Sequence, residues 1–355
     1  MPNDLGFEPQ ALRADVIDAA LSGLTASPKT LPAKLFYDDE GCRLFYEITR
    51  TPEYYLTRTE TTLLSSIASS VVPKGLRDAA LIEFGGSDES KARILLDLPD
   101  TPFTTYVSID VAAPALSDMK MRLSTTCPDL KVVPIVADFM QPLNLPTLAS
   151  ARMGFFPGST IGNLDPEEAT RFLLSTRASL GSGAWFLLGA DLRKSPKVLL
   201  PAYNDAAGIT AAFNLNLLRR LNREAGADID LDSFRHEALW NDAESRIEMH
   251  LFARRDQTVH LANHAINFRE GESIHTENSY KHTKDRIGAI AAGAGWEMEQ
   301  FWTDRDGLFG LFLLRGLVWY QRRPVTTASY TFARCRHSNP ARIFTPTVIS
   351  FPSSC

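Results

Sequence analysis

The chain has 355 residues, of which 44% are hydrophobic and 22% charged. That balance excludes a fibrous or wholly disordered protein, and at roughly 100–200 residues per domain the length indicates two domains or one large elaborated one. With Lys+Arg 37 against Asp+Glu 42 the formal charge is −5, which argues against nucleic acid or an anionic membrane as the main partner, since either calls for a basic surface.

The N-terminus, MPNDLGFEPQALRAD, lacks the basic-then-apolar order of a signal peptide. No apolar run approaches the ~20 residues that span a bilayer. Residues 1 to 25 carry Ala, Leu, Val and Ile at three- and four-residue spacing and read as a helix. The following stretch, TASPKTLPAKLFYDDEGCRLFYEITRTPEYYLTRTE, is dense in Tyr, Phe and Pro. It reads as a satellite core under a long loop or as an interdomain lid. Thr59 to Val72 reads as a helix that ends before Pro73.

From Ala80 the pattern changes. ALIEFGGS, TYVSIDVA, LKVVPIVADF, ARMGFFPGST and AWFLLGADL are short apolar runs bounded by Gly, Asp, Pro or Ser, with helical stretches between most of them. Strands alternating with helices predict a parallel sheet covered on both faces, of unknown strand order. After Asp191 the alternation stops. Residues 193–225 read as helical, with Ile209, Phe213, Leu217, Leu218 and Leu221 along one face. Residues 246–252 and 258–268 read as paired strands. KHTKDRIGAIAAGAGW reads as a helix with a glycine stop, and the last strands as a hairpin turning at Asp306-Gly307. From Gly316 to Cys355 there are five Arg, no Lys and no acidic residue, and periodicity is lost. A poorly packed basic tail is expected there.

Cys42, Cys127, Cys335 and Cys355 show no CxxC spacing, so neither a structural zinc site nor a disulfide framework is indicated, and a reducing cytoplasm is the expected compartment. His260 and His264 are four apart, but their segment reads as strand and no third ligand is near in sequence. No metal is expected.

Glu83-Phe84-Gly85-Gly86-Ser87-Asp88 follows the first strand of the core and opens a helix. Glycines there let the backbone approach a ligand, and a helix N-terminus offers free N–H groups. The segment matches neither G-x-G-x-x-G nor a phosphate loop. Asp110 closes the second strand, where a carboxylate can accept from both ribose hydroxyls. Asp138 closes the third, where an acceptor can meet the exocyclic amine of adenine. Taken singly, both aspartates read equally as turn or cap residues. Together and in order they indicate an adenosine-containing cofactor, and without a phosphate loop S-adenosylmethionine fits better than NAD or ATP. After the fourth strand, PGSTIGNLDPEEA places Asn163 near the sheet's carboxyl edge, with a donor and an acceptor to offer a zwitterion.

FYDDEGCRLFYEITRTPEYYLTRTE, GSTIGNL, AYNDAAGITAAFNLN, RIEM and IHTENSYK, in this order and at this spacing, resemble the S-adenosylmethionine-dependent L-histidine Nα-methyltransferases of ergothioneine biosynthesis. The resemblance covers residues 15–315. It implies an α/β fold, a Rossmann-like class I methyltransferase core with a second, inserted substrate-binding domain. The division it implies is 1–60 for an N-terminal helical and aromatic segment packing with the substrate domain, and 61–192 for the S-adenosylmethionine-binding core. It continues with 193–280 for the insertion, 281–315 for the return to the core and 316–355 for the tail.

On the cofactor side the resemblance implies Gly85, Lys91, Asp110, Asp138 and Phe139. On the substrate side it implies Tyr54 and Asn163 at the α-amino group and carboxylate region, Tyr203 at the carboxylate, and Glu277 and Ser279 at the imidazole. Tyr37, Phe45, Gly158 and Met249 complete that pocket. By themselves Glu277 and Ser279 read as a solvated strand edge. One departure stands out: the family usually has Gly-Ser-Gly where this chain has Gly85-Gly86-Ser87. The reaction implied is trimethylation of the amine of L-histidine to hercynine, the first step of ergothioneine biosynthesis. The expected partner is that small molecule, with no nucleic acid, no membrane and no second protomer. Two alternatives stay open: the same chemistry on another aromatic amino acid such as tryptophan, and a cofactor-binding module without catalysis.

Overall fold

A computed structural model describes residues 9–317, apart from 87, 144 and 147–150. The expected tail lies outside the described residues from 318 onward, as do Cys335, Cys355 and Ser87.

Helix α1 (Pro9–Leu24) leads to a two-residue strand β1 (Lys29–Thr30), then to α2 (Asp39–Ile48) and α3 (Tyr55–Val71). The α2 start is set by Asp38, whose carboxylate accepts from Gly41 N–H at 2.7 Å, with Asp39 and Glu40 favourably placed in the first turn. Next come β2 (Ala79–Phe84), α4 (Ser90–Leu96), β3 (Phe103–Asp110), α5 (Ala113–Thr126), β4 (Lys131–Val136), β5 (Ala151–Phe156), α6 (Pro166–Leu180) and β6 (Trp185–Asp191). Asp165 and Glu168 form a reciprocal capping box at α6, with Pro166 pre-set in its first turn.

Two helices follow, α7 (Pro196–Ala202) and α8 (Ile209–Ala225), in place of one continuous helical run; Gly208, with φ 73, separates them. The chain then forms β7 (Phe234–Asn241), β8 (Arg246–Ala253), β9 (Gln257–Leu261), β10 (His264–Phe268), β11 (Ser273–Tyr280), α9 (Lys284–Gly293), β12 (Trp296–Thr303) and β13 (Phe309–Gly316). The expected pairing of 246–252 with 258–268 is not found. β8 lies between β7 and β11, and 258–268 folds on itself as the β9–β10 hairpin, with Leu261 opposite His264. Ala262 takes φ 51 at that turn, a tight reversal that the apolar alternation on either side conceals.

The main sheet runs β12-β13-β6-β5-β2-β3-β4, with β2 to β6 parallel and β13 and β12 antiparallel at one edge. From β2 the chain builds outward to β3 and β4, then crosses to β5 and β6. The order therefore reverses between β2 and β5, the point at which open α/β sheets bind ligands beyond the strands' carboxyl ends. β2 is buried along its whole length, as a strand covered on both faces must be. Pro134 is tolerated because β4 is an edge strand. This is a Rossmann-like α/β fold.

A second sheet has the order β1-β11-β8-β7. Its apolar face shares one core with α1, α2 and α8: Phe36 stacks on Phe213 with ring centroids 4.4 Å apart, and Leu217, Leu251 and Ile274 are fully buried in the same cluster. β11 has an irregularity: His275 pairs with His250, but Glu277 pairs with Met249, so Thr276 is an extra residue. Such a bulge re-aims the side chains beyond it. His275 therefore stacks on His250 outside the core, while Glu277, two residues on, turns inward beside Met249.

Candidate active site

Three parts of the chain meet at one cavity of about 70 Å³. The N-terminal segment supplies Tyr37, Phe45 and Tyr54. The turn after β5 supplies Gly158 and Asn163. The second sheet and its helices supply Tyr203, Phe213, Met249, Glu277 and Ser279. All nine residues expected on the substrate side therefore line one pocket.

The aromatic wall is continuous. Tyr37 meets Phe45 edge-on at 6.2 Å, Phe45 meets Tyr54 at 6.4 Å, and Tyr54 meets Tyr203 at 6.3 Å. Burial, more than any neighbouring charge, holds the phenols of Tyr37, Tyr54 and Tyr203 well above their ordinary pKa, so each keeps its proton. Opposite them, Asn163 Nδ2 donates to Glu277 Oε1 at 2.9 Å. Burial pushes the Glu277 carboxyl up to about 7, against the opposing pull of Lys281 and of the Asn163 hydrogen bond. The turn that delivers Asn163 needs an unusual backbone: Gly158 has φ 81 and Ser159 φ 59. Ser159 Oγ accepts from the N–H of Asp191 at 2.9 Å, which fixes the turn to the end of β6.

The five residues expected on the cofactor side lie apart from that cavity, beyond the carboxyl ends of β2, β3 and β4. Gly85 leaves β2 with φ 79, and a side chain there would meet the Phe139 ring at 3.5 Å. Gly86 is needed for a different reason: a Cβ would sit 2.5 Å from Ser108 Oγ on β3. Phe139 packs edge-on against Phe156 and Phe172. Asp110 accepts from Ala112 N–H and Asp138 from Met140 N–H, each at 2.8 Å. These are the turn contacts anticipated as the plainer reading, yet a carboxylate has about four acceptor positions, so each retains capacity for a ligand. Desolvation raises the Asp110 pKa.

Lys91 joins the two groups. Its Nζ pairs with Glu60 and lies 3.5 Å from where a Gly158 side chain would begin. The Glu60 side chain is fully buried and also accepts from Gly158 N–H at 2.8 Å. A cradle with an unhindered glycine turn, two carboxylates with spare acceptor capacity and a lysine suits S-adenosylmethionine, whose hydroxyls and amines donate and whose carboxylate needs a cation.

Sequence reasoning missed Phe213 in the pocket wall and three fully buried charged groups outside the lining. Phe213 belongs both to the apolar face of α8 and to the cavity wall. Glu60, Asp191 and Lys281 had no assigned part, although Asp191 ends a core strand as Asp110 does, and Lys281 continues the two-residue rhythm of Glu277 and Ser279. Among the described residues His260 and His264 join no ligand cluster, and His260 pairs with Asp228 at the surface. Among the described residues Glu248, His250 and His275 are spaced closely enough for a metal, within 4.8 Å. Arg246, however, already donates to Glu248 at 2.7 Å, and the two imidazoles stack at 4.7 Å. No helix among the described residues is long and apolar enough to cross a membrane.

The family model of histidine-specific, S-adenosylmethionine-dependent methyltransferases matches residues 16–316. A histidine N-alpha-methyltransferase of Mycolicibacterium smegmatis is 41% identical over 308 residues, covering 86% of this chain and 94% of that protein. One of Mycobacterium tuberculosis is 40% identical, covering 85% and 94%. Ergothioneine biosynthesis protein 1 of Neurospora crassa is 29% identical over 302 residues, 81% of this chain but 33% of that longer protein. With the sheet order, the glycine turn and the aromatic pocket, these likenesses lead to one conclusion: the chain is an enzyme that belongs to the histidine-specific, S-adenosylmethionine-dependent methyltransferases.

Proposed function

We propose that the enzyme methylates the α-amino group of L-histidine three times, giving hercynine, the first step of ergothioneine biosynthesis. The observation that carries this reading is the pocket itself, in which an aromatic wall faces a buried carboxylate bonded to Asn163. Bound S-adenosylmethionine supplies an electrophilic methyl on a sulfonium. The cofactor roles fall to Gly85, Lys91, Asp110, Asp138 and Phe139. The lobe built from 1–60 and 193–280 holds the amino acid.

Direct displacement asks the protein mainly for alignment. Asn163 has committed its Nδ2 to Glu277, so its Oδ1 is free to accept from the amine and point the lone pair at the donor. Tyr54 supports the same group. An α-amino group in a peptide has a pKa of about 7.7–8.0, and the carboxylate of a free amino acid raises it, so the attacking amine first gives its proton to solvent and no buried strong base is required. Tyr203 serves the carboxylate, and Glu277 and Ser279 the ring. As methyl groups accumulate the amine becomes a permanent cation, which Tyr37, Phe45 and Tyr54 accommodate at a favourable ~0.5–2 kcal/mol. Met249 and Gly158 shape the remaining space. Retention of Glu277 and Met249 favours histidine over a larger ring such as that of tryptophan, and retention of Tyr54 and Asn163 favours catalysis over a silent module.

Purified protein with S-adenosylmethionine and L-histidine should give mono-, di- and trimethylated products by mass spectrometry. Cofactor binding without any methylated histidine would defeat the proposal. A pH effect accompanies it. Glu277 accepts a ring N–H more strongly when ionised, so KM for histidine should fall as pH rises through about 7. Glu277→Gln should lack that limb; its persistence in the variant would assign it to the substrate's own titration. The stability sign is opposite. A carboxyl raised in the folded state favours folding below its unfolded pKa, and that contribution is lost as pH rises through about 7.

A further inference from the structure

Lys281, just past β11, is fully buried, and nothing in the methyl transfer described above uses it. An ammonium has three donors and no acceptor. Here the three reach Tyr203 Oη at 2.7 Å, Ser279 Oγ at 2.9 Å and Asp191 Oδ2 at 2.9 Å. Asp191 is buried as well, and Tyr55 and Lys194 donate to its Oδ1. The anchor of the lysine is thus itself anchored.

The consequence lies in the hydroxyl protons. Tyr203 Oη and Ser279 Oγ are 2.8 Å apart, so one of their two protons spans the gap. Both oxygens already accept from Lys281. One proton is left for the pocket, and the pair gives a hydrogen bond more readily than it takes one. The phenol is the more acidic hydroxyl and donates to the serine, so the spare proton is that of Ser279. Across the cavity Glu277 takes a proton instead. The titratable groups facing it are Tyr37 and Tyr54 from the N-terminal segment, Tyr203 after α7, and Lys281. The phenols are neutral, so Lys281 is the cation among them that favours the carboxylate as acceptor.

We propose that Lys281 is a positioning residue for ring recognition: by occupying both hydroxyl oxygens it makes the Tyr203–Ser279 pair a donor of a single proton, so that the pocket takes a ring with one bare nitrogen and one N–H. The proposal rests on L-histidine as substrate and deepens it. With its proton given to Ser279, Tyr203 has none for the substrate carboxylate, so its place beside that group is one of packing, and the two hydroxyl residues share one lysine.

The test is the preference for L-histidine over thienylalanine, an isosteric amino acid whose ring has no nitrogen. Both dissociation constants are measured with S-adenosylhomocysteine present, so that nothing turns over. In Lys281→Met the preference should fall by about tenfold or more, while S-adenosylmethionine binds as before. Equal weakening of both amino acids, or an unchanged preference, would overturn the proposal and leave the lysine a structural role only. A wild-type chain without any preference for histidine would instead overturn the substrate assignment beneath it. Should Lys281→Met fail to fold, the single-hydroxyl variants decide: Ser279→Ala loses the preference and Tyr203→Phe keeps it. Loss in both, or in neither, is incompatible with one spare proton.

Discussion

Glu277→Ala lowers kcat/KM for histidine by about a hundredfold, a loss of ~2–3 kcal/mol, and leaves the affinity for S-adenosylmethionine unchanged. The carboxylate stands in the cavity wall and has no part in the cradle beyond β2, β3 and β4. Truncation to alanine removes the acceptor for the ring and strands Asn163 Nδ2, which now spends its hydrogen bond on Glu277 Oε1. Both effects fall on the amino acid. Isothermal titration with each ligand separately, alongside steady-state kinetics, checks the split. Equal losses for both ligands would show that the variant had disturbed the lobe as a whole.

Glu60→Ala has the largest expected effect on stability. Glu60 is buried and serves three elements at once: it starts from α3, pairs with Lys91 on α4, and accepts from Gly158 N–H after β5. Removing one partner of a buried pair costs ~3–5 kcal/mol because the other charge is left uncompensated. In a chain of this size that lowers the melting temperature by about 4–7 °C. Calorimetry measures it. The freed Lys91 also loses its fixed position, so the variant that remains folded should bind S-adenosylmethionine more weakly. A melting temperature close to wild type would show that Lys91 and Gly158 find other partners, and that this carboxylate does not tie the cofactor cradle to the pocket.

The core strands were legible because each is a short apolar run punctuated by Gly, Asp or Pro, and burial on both faces writes that pattern directly into the chain. The residues that line the cavity were legible through long blocks of resemblance, since Glu277 and Ser279 alone look like an exposed strand edge. What the sequence hid was long-range. Asp191 and Lys281 meet at 2.9 Å from different sheets, and no local spacing announces a partner so distant. Glu60 was hidden in the same way, as one more acid in a helix. The β9–β10 hairpin was missed because Ala262 adopts its left-handed turn without glycine. Strand order, too, depends on packing that a linear pattern does not encode.

The extra residue in β11 has an evolutionary consequence. Up to His275 the odd-numbered positions of that strand face outward; from Glu277 they face the cavity. What lines that side of the cavity therefore depends on a count as well as on letters. A regular ladder with Thr276 still in it would keep every letter of the strand and turn Glu277 and Ser279 to the other side. Evolution could re-line that wall by smoothing the irregularity, and an alignment scored on identities alone would pass over the event.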